Sequence, residues 1–179
     1  MADEMDNIML RLKSMPDENG NSREFEISYG AAKLSELIKD SVGDDFEEDD
    51  TMPEIDVPRV KGDCLEKVVS FLQHYRKEPM KEIPTPLGGS SFNEVMDQEW
   101  YQQFVDDSNL GSRDMLFDLL TAANFMGIKE LLDLTCLKVT FQLTGKNAEE
   151  IRQILRLPEL TPEEEAQARE DHKWIFEEN

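Results

Sequence analysis

The chain has 179 residues, 39% of them apolar and 33% charged, with a formal net charge of −21 and a pI near 4.3. That length and composition suit one domain, or one domain with an appendage, built around a real core and carrying highly charged loops or tails. The charge argues against nucleic acid and anionic membrane surfaces, which need clustered Lys and Arg, and favours a partner with a basic face.

Ile8, Leu10 and Leu12 alternate with Met9, Arg11 and Lys13, the period of a half-buried strand. A cluster of turn residues follows from Pro16 to Ser22, and then Phe25 and Ile27 alternate with Glu24, Glu26 and Ser28. Together these predict a β-hairpin with a long loop. Leu34, Leu37 and Ile38 put a helix over Ala31–Lys39. Residues 43–56 carry eight acids and no base, so a solvated, flexible acidic loop is expected at 44–56. It lacks the Asp/Asn spacing and the glycine of an EF-hand, so no metal is expected there. Ile55 and Val57, between Pro53 and Pro58, fit one short edge strand.

Asp63, with Glu66 three residues on, reads as the cap of a helix whose stripe is Leu65, Val68, Val69, Leu72 and Tyr75. Residues 77–92 hold three prolines, a Gly-Gly pair and two serines, which predicts a long, flexible loop. Glu94 to Phe104 reads as a helix with Val95, Trp100, Tyr101 and Phe104. Ser112 is positioned to cap the next helix, in which Leu116, Leu119, Leu120, Ala123 and Met126 recur at helical spacing until Gly127 ends it. A second stripe follows in Ile128, Leu131, Leu132, Cys136, Val139 and Leu143, and Leu134, Leu137 and Phe141 extend it to another face. A helix apolar on several faces is central or has a partner on its far side.

The character changes after Gly145. Asn147 with Glu150 is a capping pair ahead of Ile151, Ile154, Leu155 and Leu157. Thr161, Pro162 and Glu164 start a last helix, 162–176, with few apolar residues before Trp174, Ile175 and Phe176. Two such short helices bury too little to fold stably alone, so a second protein is expected to cover Ile151, Ile154, Leu155 and Trp174.

Chemistry finds little support. Gly145-Lys146 lacks the first glycine and the hydroxyl residue of a P-loop. There is no G-x-S-x-G, no C-x-x-C and no H-E-x-x-H, and only His74 and His172 are available as triad bases. Catalytic, cofactor and metal residues are therefore none. Cys64 and Cys136 fall in apolar helical patterns and read as buried free thiols in a reducing compartment. MADEMDNIML is too acidic for a signal peptide, and no stretch reaches membrane-spanning length, so a soluble intracellular protein is expected.

Three blocks carry a resemblance. Ala122-Ala123-Asn124-Phe125 with Ile128-Lys129, Leu131-Leu132-Asp133 and Thr135-Cys136 resembles AANYLDIKGLLDVTC of the Skp-type F-box adaptors of SCF ubiquitin ligases. Gly145-Lys146 with Glu149-Glu150-Ile151-Arg152 is similar to their GKTPEEIR, and residues 161–167 with Lys173-Trp174 to their FTPEEEAQ…W tail. The blocks are in order and correctly separated over the last third of the chain. The resemblance implies an α+β fold: a BTB/POZ-like domain with a small three-stranded sheet over 1–145, and a helical F-box-docking extension over 146–179. It implies a non-catalytic adaptor, in the cytoplasm and nucleus, that binds a cullin amino-terminal domain through Asn124 and Phe125. The F-box is implied to sit on Ile151, Ile154, Leu155 and Trp174. A weak homodimer of the free chain stays open, as does the alternative of a BTB-type dimerisation module or an elongin-C-like adaptor, although elongin-C-like proteins stop before Gly145.

The departures are Phe125, which lacks a tyrosine hydroxyl, Gly127 in place of aspartate, Ile175-Phe176 in place of Cys-Glu, and QEWYQQFV at 98–105. They indicate a divergent member. In some protist members a proline at the position of Pro162 is hydroxylated and glycosylated, although Pro162 also needs no reason beyond helix initiation.

Overall fold

The computed structural model describes residues 5–43, 52–106, 110–111 and 113–173. The chain forms two compact units, Met1–Phe141 and Gln142–Asn179.

The first unit starts with β1 (Met9–Ser14) and β2 (Glu24–Ser28), which pair antiparallel with Leu10 opposite Ile27 and Leu12 opposite Phe25. β3 (Glu54–Val57) adds to the other side of β1 in parallel, giving the order β2-β1-β3. The alternation predicted from sequence sets the faces. Leu10 and Leu12 are fully buried, and Ile27 is 1% exposed. On the opposite face Arg11 lies between Glu24, Glu26 and Glu54 of its two neighbours, at 3.0–3.7 Å. The hairpin loop closes on Asp17, whose carboxylate accepts the backbone N–H groups of Asn19 and Asn21. Proline-flanked β3 is an edge strand, as the sequence predicts.

The single helix expected over 31–39 is two helices, α1 (Tyr29–Ala32) and α2 (Glu36–Val42). The break has a physical cause: Ser35 is fully buried as the cap of α2, accepting from the Ile38 N–H and donating to the Met126 carbonyl at 2.6 Å. α3 (Gly62–Lys77) is the central helix, with Cys64, Leu65, Val68, Val69, Phe71 and Leu72 buried. Asp63 does not cap it. Asp63 lies in its first turn, and with Glu66 it pairs with Arg23.

The helix expected over 94–104 is also two, α4 (Phe92–Val95) and α5 (Glu99–Phe104), separated by extended backbone at Met96. α5 docks on α3 through rings. Trp100 stacks on His74 at 3.7 Å, and Tyr101 meets Phe71 edge-on at 5.8 Å. The Tyr101 hydroxyl donates to the Glu78 carbonyl at 2.6 Å, and Gln98 donates to Pro79 at 3.1 Å, which ties the start of the 77–92 loop to α5.

α6 (Arg113–Met126) and α7 (Lys129–Leu143) complete the unit's core. Leu116, Leu119, Ala122, Ala123 and Met126 are buried, and so are Leu131, Leu134 and Leu137. Leu134 and Leu137, which by spacing lie off the Leu131–Cys136 stripe, are thus taken up by the core itself. Cys136 is exposed, contrary to the expected buried thiol, whereas Cys64 is buried. The packed face of α7 is centred on Leu131, Leu134 and Thr135, and Cys136 falls outside it.

The second unit holds α8 (Ala148–Leu155) and α9 (Pro162–Asp171). No helix among the described residues is long and apolar enough to cross a membrane, and none of their His, Cys, Asp and Glu side chains form a group able to hold a metal ion. The expected Ser112 cap, most of the expected acidic loop (44–51) and residues 174–176 of the helix expected over 162–176 lie outside the described residues.

Candidate functional site

The end of α6 is fixed from three sides. Ala122 and Ala123 face inward at 2% and 0% exposure, so Asn124, next in the helix, is turned to solvent and Phe125 is half-buried. The helix stops at Gly127, with φ of +63°. The Gly127 N–H returns to the Asn124 carbonyl (3.3 Å) and the Ile128 N–H to the Ala123 carbonyl (2.9 Å), the paired bonds of a glycine-terminated helix. α2 then locks the corner, because Ser35 donates to Met126 and the Glu36 N–H to the Gly127 carbonyl at 3.4 Å. A Cβ on Gly127 would lie 3.0 Å from the Glu36 Cβ, so close approach and left-handed backbone both favour glycine there. Over the Phe125 ring lies the guanidinium of Arg59, 5.4 Å from its centroid. Asn124 and Phe125 therefore sit together at a rigid, partly exposed corner, as neighbours on a solvent-facing helix end.

The second unit is built by caps. The Asn147 side chain accepts from the Glu150 N–H at 2.9 Å and the Glu150 carboxylate accepts from the Asn147 N–H at 3.0 Å. Thr161 and Glu164 repeat the box at the head of α9, with Pro162 in the first turn and exposed. These backbone donors hold the Glu150 and Glu164 carboxyls below the ordinary carboxylate range. α8 ends at Arg156 in the left-handed conformation, φ +52°. Ile151, Ile154 and Leu155, spaced three and four apart, share one face of α8 and are half-buried. Leu157 and Leu160 beyond it are exposed, at 55% and 56%. α9 carries no buried residue at all. Trp174 lies outside the described residues.

The comparisons with known proteins cover most of the chain. The tetramerisation domain of the Skp1 family matches residues 13–77, and the family's dimerisation domain matches residues 129–175. An S-phase kinase-associated protein 1 homolog of Tetrahymena thermophila is 38% identical over 154 residues, covering 86% of this chain and 88% of its own. The chain belongs to the Skp1 family. An SCF ubiquitin ligase complex protein, SKP1a, of Dictyostelium discoideum is 34% identical over 165 residues, covering 88% and 92% of the two chains. SKP1-like protein 4 of Arabidopsis thaliana is 34% identical over 171 residues, covering 94% and 96%. The Skp1-family fold accounts for the α+β class and the three-stranded mixed sheet. Segment 78–128 lies between the two matched stretches and holds α4, α5 and the Asn124–Phe125 corner.

Two site features have no signature in the sequence. Arg59 lies outside every apolar stripe, and only the turn between β3 and α3 brings it to Phe125. Ser35 sits in the middle of what reads as a helix, and its partner is 91 residues away.

Proposed function

We propose that this chain is the adaptor subunit of an SCF-type ubiquitin ligase, joining a cullin scaffold to F-box substrate receptors. The cullin amino-terminal domain docks at Asn124 and Phe125. The F-box docks on Ile151, Ile154, Leu155 and Trp174. The observation that carries the reading is family membership along most of the chain, combined with a second compact unit whose two short capped helices lack a core of their own. The adaptor does no bond chemistry. It works by holding two proteins at a set distance and orientation, which raises the local concentration of substrate at the ubiquitin-charged enzyme. F-box binding is mainly apolar and orders the second unit further, and that ordering offsets part of the interface energy. The apolar face of α8 also makes a weak homodimer of the free chain, replaced by the F-box when one is present. The protein works in the cytoplasm and nucleus. Pro162, exposed at the head of α9, is open to the prolyl modification that the family resemblance implies.

The test is truncation after Gly145, alongside Trp174→Ala, assayed by co-purification with an F-box protein and with a cullin amino-terminal domain. Both variants lose the F-box and keep the cullin. Retention of both partners by the truncated chain refutes the two-surface reading.

A further inference from the structure

Arg59 lies in the turn between β3 and α3, flanked by buried Val57 and Val60, with its own side chain exposed. Nearby cations of this acidic chain find carboxylates: Lys61 pairs with Asp118 at 2.9 Å, Arg23 with Asp63 and Glu66, and Arg11 with three glutamates. Arg59 has no ion pair among the described residues. Its recorded contact is the face of Phe125, at a distance suited to cation–π attraction. The ring thus holds a charged, donor-rich group on the solvent side of the corner and leaves its N–H groups unpaired with any acid of the described chain. The corner thus combines an aromatic face and a guanidinium, residue types enriched where interface energy concentrates, one residue along from the exposed Asn124.

We propose that Arg59 is a specificity-determining contact of the Asn124–Phe125 surface, and that the cullin seated there presents a carboxylate to its guanidinium. This rests on the cullin reading above. The chemistry follows from what the corner lacks. Phe125 has no hydroxyl with which to hydrogen-bond a partner, and the guanidinium over the same ring supplies directed donors in its place. A guanidinium engages a carboxylate through two parallel N–H···O bonds, a geometry that a lysine ammonium cannot reproduce. Since the ring already orients Arg59, less side-chain freedom is lost on binding. In a chain of net charge −21, a guanidinium that no carboxylate of the described residues engages also sets register: a partner steered by its basic face gains here by placing an acidic group against Arg59.

The experiment measures binding of a cullin amino-terminal domain to the full chain by surface plasmon resonance at low and at physiological ionic strength, with F-box binding as a second readout. Arg59→Gln keeps length and hydrogen bonding but removes charge. It weakens cullin binding by about tenfold or more, mostly through faster dissociation, with a flatter salt dependence and unchanged F-box binding. Arg59→Lys falls between the two, and adding Phe125→Tyr to Arg59→Gln restores part of the loss. Arg59→Gln binding within about twofold of the unsubstituted chain, with the same salt dependence, overturns the inference. An unsubstituted chain that holds an F-box but no cullin overturns the cullin reading, and this inference with it.

Discussion

Removing one oxygen from Ser35 tests how the Asn124–Phe125 corner is held. The hydroxyl is fully buried and does two jobs: it donates to the Met126 carbonyl at 2.6 Å and accepts from the Ile38 N–H at 3.4 Å. The Met126 carbonyl is at the end of α6, where no further helical turn supplies a donor. Ser35→Ala leaves that buried acceptor unsatisfied, which costs about 1–3 kcal/mol, and removes a helix cap worth about 1 kcal/mol. Both losses come from one group and do not fully add, so about 2–3 kcal/mol is expected. The vacated volume is a single hydroxyl, too small to add much of a cavity term. In a chain of this size the expected fall in melting temperature is about 4–10 °C, measured by scanning calorimetry and checked by urea unfolding. Amide exchange of Ile38 and Gly127 should accelerate, and, on the cullin docking proposed above, affinity for a cullin amino-terminal domain should fall as the Asn124–Phe125 end of α6 loosens. Ser41→Ala is the control. Its hydroxyl donates to the Leu37 carbonyl at 2.7 Å on the exposed side of the same helix, and its loss should stay within about 0.5 kcal/mol. If Ser35→Ala is as mild as that control, the clamp between α2 and α6 contributes nothing and the reasoning fails.

Gly127→Ala should cost at least about 1 kcal/mol in urea unfolding, because a left-handed backbone and a Cβ 3.0 Å from that of Glu36 both oppose it. Gly20→Ala, also left-handed but in open space, should cost less, and equal costs would remove the packing part of the argument. The capping carboxylates make the second unit sensitive to acid. Their folded values lie below the ordinary one, so the stabilisation is present above the unfolded carboxylate value and disappears as the pH falls through the folded one. Backbone chemical shifts of α8 and α9 should stay helical at neutral pH and lose helicity below about pH 4, a loss that Glu150→Gln removes from α8 because glutamine also completes the box. Retention of both helices unchanged through that titration would contradict the capping account. Burial pushes the Cys64 thiol up to about 12, with Asp118 adding to it, whereas Cys136 is exposed. Iodoacetamide at mildly alkaline pH should therefore label Cys136 first and Cys64 only on unfolding, as peptide mass spectrometry would read. Labelling of Cys64 at an equal rate would mean that the core packed against the first turn of α3 does not cover it.

Much of the fold is legible in short-range pattern. The period of two over residues 8–13 placed Leu10 and Leu12 inward, and prolines on both sides placed β3 at the edge. Gly127 ends α6 in the conformation that its chemistry favours, and both capping boxes form. Each depends on residues within about five positions of one another. The errors share the opposite feature. Residues 33–35 have helical spacing, yet the Ser35 hydroxyl bonds across the molecule and splits the helix. Asp63 has the look of a cap, yet Arg23, forty residues earlier, takes its carboxylate. Met96–Gln98 interrupts a helical pattern where α5 swings its rings onto Phe71 and His74.

The sequence by itself determined the family, the α+β class, and the positions of Asn124, Phe125, Ile151, Ile154 and Leu155 on helices, because local periodicity, capping and ordered motif blocks are written in neighbouring residues. The tertiary structure alone decided that Cys136 faces solvent, that α6 is clamped by Ser35 and that Arg59 rests on Phe125. Those contacts join residues far apart in the chain. Their energies come from which groups the fold brings within hydrogen-bond or ring-contact distance, and no local periodicity encodes that distance.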